Sequence, residues 1–458
     1  MDKELTYTHP DYDDNESNWE FYLRSYLGGQ EYKDGAYLVR YYNESKEDYK
    51  RRLEMTPIDN HCANVIHIYS SFLWRSPPTR NFNSLDGDPV LDSILEDADL
   101  DGNSLNAFMR EAQTWSSVYG HVWIVVDKPK STAQTRAQEL EQDVRPYLNL
   151  YTPENIFDWE FTRTESGRFK LTYLKIREQV IKQNDVEEIS YFRIWTEDKV
   201  EVYKVDNEGG YEKIDEMDNP LGFIPAVYLP AARTVTRGIG KSDIADISIM
   251  QKAVYNELSE IEQLIRISNH PTLVKTYDTD ATAGAGGIVH MPDELDPALK
   301  PYMLQPSGAN LDSVQKSIEA KVTAINRMAH LGAVRGTDAV KASGIALQTE
   351  FQLLNSRLSE KADILELAEQ YIWYFIAAYQ NKTPDVEVDY PDSFDIRDYP
   401  NELQFLQQAR ASGVQSATFT REIDKMIADL IADDDVLQQI KDEIDSSRQL
   451  GDFAPPAE

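Results

Sequence analysis

The chain has 458 residues, with 41% hydrophobic and 10% aromatic side chains, and its 79 acids against 46 bases leave a net charge of −33. That length and apolar content suffice for two or three hydrophobic cores, whereas the charge argues against tight, sequence-specific nucleic-acid binding, which needs Lys and Arg on the phosphates. A single cysteine, Cys62, excludes an internal disulfide framework and a cysteine zinc cluster.

Residues 1–16 carry six acids against one lysine without an apolar period, and the reading is a solvated, disordered arm. From Asn18 to about Pro77 the period is helical, through Trp19, Tyr22 and Leu23 and then, beyond Pro57, through Ile58, Val65, Ile66, Tyr69 and Phe72. A helix near Ser104 to Val118 leads through Gly120 into a strand at residues 122–126. Between Pro146 and Pro230 the period falls to about two, which predicts strands at residues 147–151, 171–176, 189–195, 200–205 and 223–229. The front half is therefore expected to be an α+β domain.

After Gly240 the helical period returns. Ile247, Met250, Val254, Leu258, Ile261 and Ile265 form one seam, ended by Pro271. Residues 276–308 hold four prolines and four glycines and read as a small protruding module. A second helix has Leu311, Val314, Ile318, Val322, Ile325 and Met328 on one face. After a short loop at 332–343 comes a third and longest helix, from about Ile345 to Tyr379, and then an acidic helical tail ending in Ala454-Pro455-Pro456. The longest apolar run, residues 371–379, is about half of what a bilayer crossing requires, so a protein cytosolic when made, with no membrane partner, is expected.

Enzymatic signals are weak. Gly238-Ile239-Gly240-Lys241-Ser242 ends like a phosphate-binding loop, but the glycine required five residues before Gly240 is Val235; a helix start with Ser242 as N-cap is the better reading. His61 and His67 lie six apart, on different faces of one helix, and no His-Glu-x-x-His or Gly-x-Ser-x-Gly motif occurs. No catalytic residue, metal site or cofactor is assigned, and no enzyme is expected.

The order of elements carries more information than any of these motifs. An α/β unit, a long helix, a Pro/Gly-rich excursion, a return helix, a Gly-containing loop, a very long helix and a helical tail follow one another. Within it stand Tyr49-Lys50-Arg51-Arg52-Leu53 with Asn60, Trp74-Arg75 and Pro77-Pro78; Tyr151-Thr152-Pro153-Glu154-Asn155-Ile156 with Trp159; and Gly240, Ser242, Asp243, Gln251, Tyr255, Asn256, Pro271 and Leu273. In these residues and this order the chain resembles the portal (head-to-tail connector) proteins of tailed bacteriophages.

The resemblance implies a disordered arm at 1–16, an α/β wing domain at 17–239, a first stem helix at 240–270, a clip at 271–309 and a second stem helix at 310–331. A tunnel loop at 332–343, a long wing helix at 344–381, a helical crown at 382–450 and a disordered tail at 451–458 complete it. It implies a ring, a dodecamer, at one capsid vertex of the virion, assembled in the host cytoplasm. The ring would form the channel for DNA packaging and ejection and the platform for the terminase large subunit and then the head–tail adaptor, embedded among major capsid protein, with double-stranded DNA passing non-specifically. The alternative is another structural or scaffolding virion protein without a DNA channel.

Candidate site residues follow from local charge within that frame. Between Leu311 and Lys341 bases outnumber acids, so Lys316, Lys321, Arg335 and Lys341, with Gly336 and Thr337 in the loop, are the expected DNA-channel residues; ordinary salt bridging is the competing reading for these bases. The acidic clip residues Asp278, Asp280, Asp293, Glu294 and Asp296, with Tyr277, are the expected partner contacts.

Overall fold

The computed structural model describes residues 5, 7–130, 135–181, 188–205, 210–269, 272–274, 296, 302–304, 309–335, 344–391, 393–394, 399–411, 414, 416–431 and 434–447. The fold is α+β. The chain divides into two compact units, Met1–Phe394 and Asp395–Glu458.

The first unit begins with α1 (Pro10–Leu27), α2 (Gly29–Asp34), α3 (Lys46–Met55) and α4 (His61–Leu73), then β1 (Thr79–Asn81), α5 (Pro89–Glu96), α6 (Leu105–Tyr119) and β2 (His121–Asp127). There follow α7 (Arg136–Glu141), β3 (Tyr147–Tyr151), β4 (Ile156–Arg163), β5 (Phe169–Ile181), β6 (Glu188–Thr196), β7 (Lys199–Val205), β8 (Tyr211–Asp218) and β9 (Ala226–Pro230). The back half contributes α8 (Ala245–Asn269), β10 (Thr272–Val274), β11 (Tyr302–Leu304), α9 (Ala309–Met328), α10 (Gly332–Arg335), α11 (Gly344–Tyr379) and β12 (Glu387–Asp389).

Two sheets organise the front. β4 to β8 form an antiparallel meander in sequence order, and β3-β2-β9 a three-stranded sheet with β2 in the middle. β2 is buried along its whole length, which is why His-Val-Trp-Ile-Val-Val-Asp reads as a continuous apolar run and not as an alternation. α6 feeds it: Ser104 caps the helix by accepting the Ala107 N–H, and Gly120 at φ 99° turns the chain into the strand. Around this sheet the main core joins α1, α4, α6, α8 and α11 through Trp19, Ile66, Met109, Trp123, Val254, Leu358 and Ile372.

The expected disordered arm is corrected over its described part. α1 starts at Pro10, with Pro at the first turn and His9 Nδ1 accepting the Asp11 N–H. Asp13, Asp14 and Glu16 are exposed, while Tyr12 and Trp19, seven residues apart, are buried. Ahead of the helix, Leu5 packs with Phe192 and Ile194 of the five-stranded sheet, and the buried Lys175 ammonium donates to the carbonyls of Leu5 and Tyr7. His9 stacks on Trp159 at 4.2 Å. Asp13, Asp14 and Glu16, which read as part of a solvated arm, lie on the exposed face of an amphipathic helix.

The N-cap reading of Ser242 is also corrected. α8 begins at Ala245, and Ser242 sits in the turn before it, its hydroxyl donating to Val118 O (2.6 Å) and accepting the Ile244 N–H (3.2 Å). The helical tail starts later than position 382. β12 pairs antiparallel with β1, Arg80 opposite Val388, and belongs to the first unit.

The second unit contains α12 (Tyr399–Ala411), α13 (Ala417–Ile431) and α14 (Asp434–Ser447). Its helices are laced by ion pairs, Arg410–Asp424 at 2.9 Å, Lys425–Asp445 at 2.9 Å and Lys441–Asp429 at 2.6 Å, with Leu406 and Ile423 buried.

Candidate functional site

α8 and α9 form an antiparallel helical hairpin. Leaving α8, the chain enters β10, and it returns through β11, with Thr272 opposite Leu304, directly ahead of α9. The two helices are pinned at mid-length, where Glu257 Oε1 accepts from the Lys321 ammonium at 2.6 Å and the Ser317 hydroxyl at 2.8 Å. Seam residues near the body are buried, as at Ile247, Val254 and Ile325, while Ile265, toward the far end, is exposed. A packed base and an exposed tip are what a protruding stalk requires.

The base is held by buried charge. Asp243, in the turn before α8, accepts from Lys361 of α11 at 2.6 Å and from Arg357 at 3.1 Å, and the Lys361 ammonium also donates to Ala231 O. Burial pushes the Lys361 amine below its usual range against the pull of Asp243. On the same helix, Glu369 is fully buried and receives Arg80, the Trp373 indole N–H at 3.0 Å and the Tyr390 hydroxyl at 2.7 Å. α11, 36 residues and about 54 Å long at 1.5 Å per residue, is thereby fixed both to the stalk base and to the β1–β12 pair.

Of the expected DNA-channel residues, Lys316 is exposed on α9, and the Lys321 side chain is engaged by Glu257 and Ser317. Arg335 ends α10, with its side chain outside the described residues, where Gly336, Thr337 and Lys341 also fall. Of the expected partner contacts, Tyr277, Asp278, Asp280, Asp293 and Glu294 lie outside the described residues, and Asp296 is described and exposed.

The Gly238–Ser242 segment is a packing element. A Cβ at Gly240 would lie 2.0 Å from Gly120 O, and one at Gly120 2.5 Å from Gly240 O, so two backbones cross in contact and both positions need glycine. Gly240 N–H donates to the buried His121 Nδ1 at 3.4 Å, and burial holds that imidazole down to about 3. His61 and His67 do share α4, His61 buried beside Asp59 (3.0 Å) and His67 at 3.3 Å from the Tyr26 hydroxyl. Asp97-Ala98-Asp99-Leu100-Asp101-Gly102 is spaced like the start of a calcium loop, but Phe108 stands where such a loop needs its glutamate. Its carboxylates are turned to their own backbone, Asp97 to Gly102 N–H and Asp99 to Asp101 and Asn103 N–H. Among the described residues no three His, Cys, Asp or Glu side chains converge as a metal site, and no helix is long and apolar enough to cross a membrane.

Periodicity did not reveal a 590 Å³ open groove between the β4–β5 hairpin, β9 and α11. Trp123, Phe161 and Val227 line it with Leu367, Tyr371 and Tyr374 of α11, and Arg168 and Arg233 stand on its rim. The available signal was local: Arg163, Arg168 and Lys170 within eight residues of an otherwise acidic chain, and aromatic residues on the outer side of the longest helix.

No protein-family model and no curated protein matches the chain in sequence. Among solved structures, it is similar to a chain of the virion of a native gene transfer agent particle, at 11% identity and a TM-score of 0.44 over 83% of this chain and 93% of that one. It is likewise similar to chains of that agent's particle neck. In the empty particle with C6 symmetry the identity is 10% and the TM-score 0.43, over 82% and 92% of the two chains. In the native particle with C12 symmetry they are 12% and 0.44, over 79% and 89%.

Proposed function

We propose that this chain is a subunit of a portal ring, the structural connector at a capsid vertex of a tailed phage or a phage-like particle, and not an enzyme. The observation that carries the reading is the helical hairpin: two long antiparallel helices linked at their far end through the β10–β11 pair, followed by a 54-Å-scale helix locked to the hairpin's base by Asp243, Lys361 and Arg357. The hairpin and the long helix support reading α8 and α9 as the stem and α11 as the wing helix of the sequence resemblance, with the clip and tunnel loop assigned to the residues between them.

In this reading DNA passes along the hairpin axis, and Lys316, with Arg335 and Lys341 of the loop at 332–343, makes weak phosphate contacts. Lys321 instead braces α9 on α8. The excursion between β10 and β11, with Tyr277, Asp278, Asp280, Asp293, Glu294 and Asp296, receives the terminase large subunit during packaging and the head–tail adaptor afterwards. Each of those partners is expected to present bases, and the major capsid protein to surround the ring.

The test is electron microscopy of the purified protein with mass determination in parallel. Rings with a central hole and a mass near twelve subunits support the reading. A compact particle without a pore, persisting at high concentration with a scaffold present, moves the assignment to a structural virion protein without a channel. Within rings, shortening the loop at 332–343 is expected to impair DNA retention in filled particles.

A further inference from the structure

The groove beside α11 is unusual in its composition. Its floor is aromatic and aliphatic, and its α11 side exposes Leu367, Tyr371 and Tyr374, with Tyr371 at 51% exposure. Exposed apolar surface of this kind, framed by charge, marks a contact surface. The frame here is basic in a chain of net charge −33. Arg163, Arg168, Arg233 and Arg237 are all exposed, and among the described residues none of them has an acid at pairing distance. Arg237 and Arg163 lie over the Phe169 ring, 3.7 and 5.8 Å from its centroid. Lys170 is already paired with Glu197 at 2.6 Å, and Glu165 is the acid at the same hairpin tip. An occupant must bring an apolar side chain set among carboxylates.

Such a feature stands at the opposite edge of the three-stranded sheet. The groove wraps the β9 edge, whereas the turn after α5 abuts the β3 edge, where Leu148 N–H donates to Ala98 O at 2.8 Å. That turn presents Leu100, 40% exposed at φ 67°, between Asp99 and Asp101, with Asp92 and Glu96 exposed nearby. It is held in shape from within by Asp97 and Asp99. An apolar knob in an acidic frame and an apolar groove in a basic frame thus lie on opposite sides of one unit.

We propose that the groove is the socket for the Asp99-Leu100-Asp101 turn of a second copy of this chain, joined head to tail. A two-fold pairing of groove with groove would set arginines against arginines, so the contact is heterologous, the kind that closes into rings. Charge complementarity sets the register, and Leu100 against the aromatic floor supplies the desolvated centre. The inference rests on the ring reading for its closure, while the contact itself stands or falls separately.

Cysteine chemistry reads this contact cleanly, because the single native Cys62 is buried. In full-length protein, Asp101→Cys together with Arg168→Cys and a short bismaleimide is expected to give a ladder of multimers beyond the dimer, and neither single variant is. Arg168→Glu with Arg233→Glu is expected to lower the assembled fraction at least tenfold, and adding Glu96→Lys and Asp101→Lys to restore it, which a folding defect would not allow. A ladder without closed rings keeps the contact and removes the ring reading. Rings that persist at full yield in the Arg168→Glu/Arg233→Glu variant, with no ladder in the double-cysteine protein, overturn the contact and leave the ring reading intact. Unchanged ring mass with loss of duplex DNA retention in the arginine variant makes the rim a phosphate contact and also overturns it.

Discussion

The side chains with most at stake are buried charges and one buried imidazole. Glu369 takes Arg80, Trp373 and Tyr390, and burial beside it pushes the Tyr390 hydroxyl well above its usual range. Glu369→Ala strands a buried guanidinium, so chemical denaturation is expected to show a loss of about 3–5 kcal/mol; a loss under about 1 kcal/mol would mean that water reaches Arg80. His121 works the other way. Its folded-state value near 3 lies below the ordinary 6.5, so the unfolded chain takes up a proton that the folded one refuses. Its share of stability is present above pH 6.5 and is lost as pH falls from there toward 3, at up to about 1.4 kcal/mol per pH unit. His121→Asn is expected to flatten that part of the stability–pH curve, and an unchanged slope would assign the acid sensitivity to other groups.

Among elements, the junction between the turn before α8 and α11 matters most, because it connects stalk and body. Asp243→Ala leaves Lys361 buried beside Arg357 without its counter-charge, at an expected cost of about 3–5 kcal/mol. Lys361→Met alone should cost less, since Arg357 still neutralises Asp243. The double variant is expected to recover part of the loss, with a coupling of about 0.5–3 kcal/mol by thermal or chemical denaturation, and strict additivity would show that the two groups do not share an environment. None of this triad was legible in the sequence, because Asp243 and Lys361 are far apart in the chain and each looks like an ordinary surface charge. What was legible were the elements whose period is fixed by a single buried face. α11 lies within a residue of its expected start and β3 agrees with its expected span. β8, the edge of the meander, escaped notice since most of its residues are exposed and it shows no apolar alternation. The first two turns of α1 lay in the expected arm for a related reason: the acids around Tyr12 hide its place on the same buried face as Trp19. The groove needed three elements brought together, which no linear pattern records.

For the whole molecule the charge is the governing quantity. In the proposed ring, twelve copies would carry roughly −400 formal charges, a field that would repel a DNA backbone and keep a duplex mobile within the channel. Each phosphate neutralised by a fixed cation adds affinity that a translocating motor must break, and steepens the salt dependence of binding by nearly one logarithmic unit per contact. Lys321 is one base that α9 withholds from such contacts, since its ammonium is held by Glu257 and Ser317. The assembled protein is therefore expected to bind linear duplex DNA more weakly than the ~10⁻⁴–10⁻⁶ M typical of non-specific DNA-binding proteins at physiological salt, with a log–log salt slope shallower than about −2. Fluorescence anisotropy across a salt series measures both quantities. Submicromolar binding with a steep slope would mean that the bases of the 311–341 stretch form a real phosphate-binding track, and the picture of a repelling conduit would give way to one in which the ring grips its DNA. Weak binding by intact rings, together with DNA retention lost on shortening the loop at 332–343, would instead place the restraint in steric closure of that loop.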